Sequence, residues 1–178
     1  MKINEEATMT EKMLNLKKTS NVTDNRNVHQ DYTAAYFLFR NFLGNKGDCS
    51  VLEQLRELAE EGNRWAGFYL SVCYQNGVTD DHSNDRKKAQ EWLEKTKDLP
   101  IAQYELAMLY FDNNDIDSGK KYIKKAAKGG VVDALYMLGV YYAEGYLFKQ
   151  NILKAEKYLD MARKMGHPNA YRGLKQLK

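Results

Sequence analysis

The stretch DALYMLGVYYAEGY, residues 133–146, decides how this chain is read. From Ala134 to Ala143 it carries no charge, and nearly every side chain is apolar or aromatic. A helix that is apolar all round has to be covered on several sides. It is also far shorter than the about twenty residues that cross a bilayer. Neighbouring protein must supply the cover, and the question is which side chains remain for a partner.

Sliding this stretch along the chain finds it again. It holds Ala134, Leu138–Gly139, Tyr142 and Gly145. AQYELAMLYFDN holds Ala102, Leu106–Ala107 and Tyr110, and AGFYLSVCYQNG holds Ala66, Leu70–Ser71, Tyr74 and Gly77. AAYFLFRNFLG aligns by Ala34, Leu38 and Phe42, and AYRGLKQLK by Ala170 and Leu174. The alanines lie 32, 36, 32 and 36 residues apart. A period of this length marks a repeat architecture, in which each copy is one supersecondary unit.

A second helical pattern lies between the copies. It has Leu52, Leu55, Leu58 and Ala59 before Gly62, then Ala89 and Trp92–Leu93 stopping at Pro100. Gly119, Tyr122–Ile123 and Ala126–Ala127 precede Gly129–Gly130, and Ala155, Tyr158–Leu159 and Ala162 precede Gly166. Asp85, Asp115 and Asn151 are placed to cap three of these second helices. Small residues let helix backbones approach, and Leu and Tyr fill the flanking grooves. Gly139 costs roughly 1 kcal/mol of helix propensity, which a close crossing explains.

The pattern A-x-x-x-L-G-x-x-Y-x-x-G followed by D-x-x-K-A resembles the Sel1-like repeat, a relative of the tetratricopeptide repeat. It is fullest at Ala134 to Gly145 with Asn151, Lys154 and Ala155, and good at Ala66 to Gly77 with Asp85, Lys88 and Ala89. The copy at 102–130 departs from it, with the short loop FDNNDID and Ser118–Gly119 in place of Lys–Ala. The first copy has Leu38–Phe39 where the pattern has Leu–Gly. The resemblance implies an all-α fold, a right-handed α–α superhelix (solenoid) of four to five helix-turn-helix repeats over residues 31–178. Residues 1–30 are expected to be a flexible tail. Within it TMTEKMLNLKK offers a short amphipathic helix, and TSNVTDNRNVHQD reads as a linker.

In this repeat class the first helix of each pair lines the inside of the superhelix, so partner residues are sought there. Two residues before each pattern Leu come Tyr36, Phe68, Tyr104 and Tyr136, then Arg172. Two after it come Arg40, Val72, Met108 and Val140, and five after it Gln75 and Phe111. Positions three to four apart share a helical face. Such a row of anchors suits a peptide segment or a folded domain of a protein partner, and the same aromatics could equally pack between repeats.

Charge is segregated. Residues 31–118 hold 9 Lys/Arg and 16 Asp/Glu, giving −7, and residues 119–178 hold 13 and 4, giving +9. Lys120, Lys121, Lys124, Lys125 and Lys128 share one face of a second helix, as a solvated surface or as a docking patch for an acidic partner. The aromatic anchors fall on first helices away from these lysines, which disfavours nucleic acid.

Other chemistry finds little footing. There is no GxSxG, HExxH or phosphate-cradling glycine loop, and Cys49 and Cys73 form no CxxC. The three histidines have no metal-ligand spacing, so no cofactor or metal is expected. Glu53, Glu57, Glu60 and Glu61 read as the exposed side of an amphipathic helix. Neither a secretory signal nor a transmembrane run is found, so the expected setting is the cytoplasm without membrane insertion. The expected function is a non-enzymatic protein-interaction module. The alternative is an immunity-type inhibitor that occludes a toxin or effector.

Overall fold

The computed structural model describes residues 25–44, 49–77 and 85–177. The described residues contain helices and no strand. In chain order the helices are α1 (Asn25–Gly44), α2 (Cys49–Glu60), α3 (Arg64–Gln75), α4 (Arg86–Lys95), α5 (Pro100–Asp112), α6 (Ile116–Lys128), α7 (Val132–Glu144), α8 (Ile152–Lys164) and α9 (Ala170–Gln176). They group into two compact units, Val22–Leu106 and Ala107–Lys178, with the boundary inside α5. The amphipathic segment expected around residues 8–18 lies outside the described residues. Helix α1 starts at Asn25, within the stretch expected to be linker.

One joint recurs at three turns from a first helix to a second helix, α3–α4, α5–α6 and α7–α8. The residue ahead of the second helix donates its backbone N–H to the carbonyl of the pattern Tyr: Asp85 to Tyr74 (3.0 Å), Asp115 to Tyr110 (2.8 Å) and Asn151 to Tyr142 (2.8 Å). The side chain of that same residue accepts the N–H three positions on, from Lys88 (2.9 Å), Ser118 (3.1 Å) and Lys154 (2.9 Å). One residue thus closes the loop and satisfies a helix-start donor that would otherwise lack a partner. Where the pattern Lys is present its ammonium lies over the pattern Tyr ring, Lys88 at 5.5 Å from Tyr74 and Lys154 at 5.1 Å from Tyr142.

The return from second to first helix uses a left-handed glycine. Gly62, Gly130 and Gly166 have φ of 99°, 84° and 88°. The following residues donate back to the helix just ended, Asn63 to Leu58 and Val131 to Ala126 at 3.0 Å and His167 to Ala162 at 2.9 Å. The α4–α5 connection does without glycine. Helix α4 ends at Lys95, and the buried Thr96 turns its hydroxyl onto the Trp92 carbonyl at 2.9 Å. Pro100, expected to stop the preceding helix, instead opens α5, where its missing N–H has no helical partner to lose.

The core follows the pattern. Ala66, Leu70 and Ser71, Ala102, Leu106 and Ala107, and Ala134 and Leu138 are all fully buried. A Cβ on Gly139 would lie 2.6 Å from Leu159 Cγ and 3.2 Å from the Leu159 backbone nitrogen, so α7 and α8 cross where only glycine fits. Gly119 follows the same logic. The Phe111 ring fills the place its Cβ would take, which accounts for Gly replacing the pattern Ala. The first copy is the exception. Ala34 is exposed and Leu38 half-buried, whereas Ala35 and Phe39 are buried, so its register runs one residue later than expected. The Phe39 ring decides this by stacking on Tyr69 at 4.6 Å.

Gly139→Leu should overpack the α7–α8 crossing and lower stability by at least about 1–3 kcal/mol, read by chemical denaturation. The caps carry a pH signature. The Asp85 carboxyl is held below its ordinary value chiefly by the Lys88 backbone N–H, and Asp115 by the Ser118 hydroxyl and then the Ser118 N–H. A carboxylate with a lowered native pKa contributes stability above its unfolded value, and loses it as pH falls through the native one. Asn151 does not titrate. Below about pH 3.8 the first turns of α4 and α6 should therefore lose amide-exchange protection before that of α8.

Candidate interaction surface

In the Val22–Leu106 unit the expected partner residues divide by burial. Tyr36 is half-buried, with its ring stacked on Tyr32 at 5.7 Å, and Arg40 is exposed. Val72, Gln75 and Tyr104 are half-buried. The Gln75 side-chain nitrogen is buried with no hydrogen-bond partner among the described residues. Phe68 is only 4% exposed. Its ring meets Trp65 edge-on at 6.2 Å and lies 5.6 Å from Tyr69, while Tyr32 of α1 meets Trp65 at 4.9 Å. An aromatic cluster thus encloses Phe68, which belongs to the core of its unit and offers a partner no surface.

The register shift in α1 changes which ring stands out. Two residues before the buried Phe39 comes Phe37, 56% exposed, with its ring 6.2 Å from Tyr36. Sequence reasoning missed Phe37 because Leu38 was aligned as the pattern Leu.

In the Ala107–Lys178 unit Met108, Phe111, Tyr136 and Val140 are half-buried and Arg172 is exposed. Tyr136 stacks face to face on His167 at 4.0 Å, and His167 Nε2 lies 3.5 Å from Asp133 Oδ1. Phe111 meets Tyr141 at 6.1 Å besides filling the Gly119 gap, so its ring is partly committed to packing. A cleft of about 350 Å³ opens between α8 and α9, lined by Ile152, Glu156, Asp160, Arg163, Tyr171 and Leu174 among others. Ile152 and Tyr171 there are 44% and 59% exposed. No first-helix pattern could flag them, since Ile152 belongs to a second helix and Tyr171 falls outside the positions counted from each Leu.

Divided at the boundary between the units, the charge contrast is smaller than in the sequence halves but keeps its sign. Residues 22–106 carry 10 Lys/Arg and 14 Asp/Glu, and residues 107–178 carry 13 and 7. On α2 and just past its end the carboxylates Glu53, Glu57, Glu60 and Glu61 are exposed, and Glu53 pairs with Arg56, whose guanidinium also reaches the Tyr74 hydroxyl at 3.4 Å. Burial pushes the Cys73 thiol up to about 12, so it stays protonated and behaves as a small core residue. No group of three His, Cys, Asp or Glu among the described residues is arranged to hold a metal ion. No helix among them is long and apolar enough to cross a membrane.

The Sel1 repeat family matches the chain over residues 66–99, 100–131 and 132–167. Among solved structures the chain is similar to a Sel1 repeat protein from Oxalobacter formigenes, with 29% identity and a TM-score of 0.62 over 70% of this chain and 97% of that one. It is also similar to c5321, a protective antigen present in uropathogenic Escherichia coli strains that displays an SLR fold. Identity there is 22% and the TM-score 0.63, over 85% of this chain and 33% of that one. The immunity protein Pa5087 from Pseudomonas aeruginosa aligns over 90% of this chain and 81% of its own, with 19% identity and a TM-score of 0.43. That superposition is too loose to carry an argument.

The burial difference between two phenylalanines is directly measurable. Phe68→Ala should cost about 3–5 kcal/mol in denaturant unfolding, as truncation of an enclosed aromatic does. Phe37→Ala should stay near 0.5 kcal/mol, as at an exposed position.

Proposed function

The chain belongs to the Sel1 repeat family, an all-α helical-repeat fold whose members generally serve as protein-interaction modules, and from that premise we propose that it binds a protein partner through its first helices. One observation carries the proposal. The pattern residues Leu106 and Leu138 are fully buried, whereas the aromatics two positions before them, Tyr104 and Tyr136, are only half-buried. Val72, Met108 and Val140 are half-buried in the same way on the positions that follow. Partly exposed aromatics on rigid helices are what interface hot spots use, because little conformational freedom is lost on binding.

A second reading makes the protein an immunity-type inhibitor that occludes a toxin or effector. The segregated charge favours it, since a net −4 on residues 22–106 and +6 on residues 107–178 suit a folded partner of complementary pattern. It requires a tight complex with a toxin encoded beside this gene, and loss of toxicity when the two are mixed.

The test uses wild-type protein and Tyr104→Ala as matched baits in native lysate, with mass spectrometry of what each retains. The partner held by wild type should fall about tenfold on the variant, while the melting temperature moves by less than about 4 °C. Undiminished capture, or a loss of stability as large as that of Gly139→Leu, overturns the assignment.

A further inference from the structure

Beside the α7–α8 turn three lysines converge on a stack of rings. Phe148 stacks on Tyr142 at 4.9 Å and Tyr142 on Tyr158 at 5.8 Å, the latter pair within 3° of parallel. The ammonium groups of Lys120 and Lys124 lie 5.7 and 4.7 Å from the Phe148 ring centre, and that of Lys154 lies 5.1 Å from the Tyr142 centre. None of the three lysines forms an ion pair with a carboxylate among the described residues. Each ammonium therefore keeps N–H donors for an outside acceptor. Two exposed apolar side chains lie in the α7–α8 turn and the first turn of α8, Tyr146 at 73% and Leu153 at 79% exposed. The acids Asp117, near the start of α6, and Glu144, at the end of α7, are exposed.

We propose that this cluster is a docking site for an acidic segment of a protein partner, in which carboxylates alternate with apolar side chains. The carboxylates would take charge-assisted hydrogen bonds from Lys120, Lys124 and Lys154, and the apolar side chains would cover Tyr146 and Leu153. Charge complementarity favours this occupant, because the unit carries 13 Lys/Arg against 7 Asp/Glu. The rings argue against nucleic acid. Phe148, Tyr142 and Tyr158 are stacked on one another and topped by lysines, so they offer no row of open faces for successive bases. The site lies on the α6 and α8 second helices and the α7–α8 turn, with the buried Tyr142 of α7 in its ring stack. It stands or falls separately from the first-helix face.

The probe is a short fluorescein-labelled peptide of alternating Glu and Leu pairs, titrated against the full chain by anisotropy at low and near-physiological salt. Wild type should bind it, more weakly as salt rises. Lys120→Gln/Lys124→Gln/Lys154→Gln should bind about tenfold more weakly with an unchanged helical circular-dichroism spectrum. Lys157→Gln/Lys164→Gln/Lys175→Gln removes equal charge from the same unit and should lose less than about threefold. Tyr104→Ala should bind the peptide as wild type does. Equal loss in the two triple variants, no binding by wild type, or tighter binding of an oligothymidylate of matched length overturns the proposal.

Discussion

Everything in this chain depends on how closely two backbones can approach. At Gly139 the α7 backbone lies so near Leu159 that a single added carbon would collide with its side chain and crowd its backbone nitrogen. That contact brings the second helix under the first. The hydrogen bond from Asn151 to the Tyr142 carbonyl then ties the turn between them. Once the pair is clasped, Ala134, Leu135, Leu138 and Tyr142 of the charge-free run are enclosed, while Tyr136 and Val140 stay half-buried. The same clasp recurs with Asp85 on Tyr74 and Asp115 on Tyr110, although the residues at the crossing differ. What repeats is a joint, and sequence similarity follows from its steric demands.

This explains which parts of the fold could be read from the residues. Cap residues and pattern alanines were legible because each answers a local requirement, an N–H to satisfy or a helix to admit. Pro100 was misread because a proline after a helical run looks the same whether it ends one helix or begins the next. The first copy was displaced by one residue because Ala34 and Ala35 are adjacent alanines. Only the stacking of Phe39 on Tyr69, a contact far apart in the chain, selects between them.

The candidate surface was less legible for a related reason. Spacing places Phe68, Tyr104 and Tyr136 at one helical position, but burial depends on what surrounds each ring. Phe68 is closed in by Trp65 and Tyr69, with Tyr32 of α1 against that Trp65, whereas Tyr136 is covered on one face by His167 from the following turn. Periodicity identifies the side of the helix and says nothing about neighbours contributed by another repeat. Tyr146 and Leu153 escaped altogether, because the repeat template looks for apolar residues that are covered.

The two surfaces rest on different physics. On the first helices the half-buried Val72, Tyr104, Met108, Tyr136 and Val140 are part of a rigid packing scheme, so they suit contacts whose strength comes from removing rings and aliphatic carbons from water. On the second helices Lys124 and Lys154 are exposed and Lys120 half-buried, and salt screens them, so alone they would orient a partner more than hold it. Setting Lys120 and Lys124 against Phe148 alters that balance, because each cation already sits on a low-dielectric ring and gives up less hydration when an acid arrives. On the two proposals together, the first helices hold a partner and the second helices select among partners. Both derive from the clasp that decides which side chains stay outside.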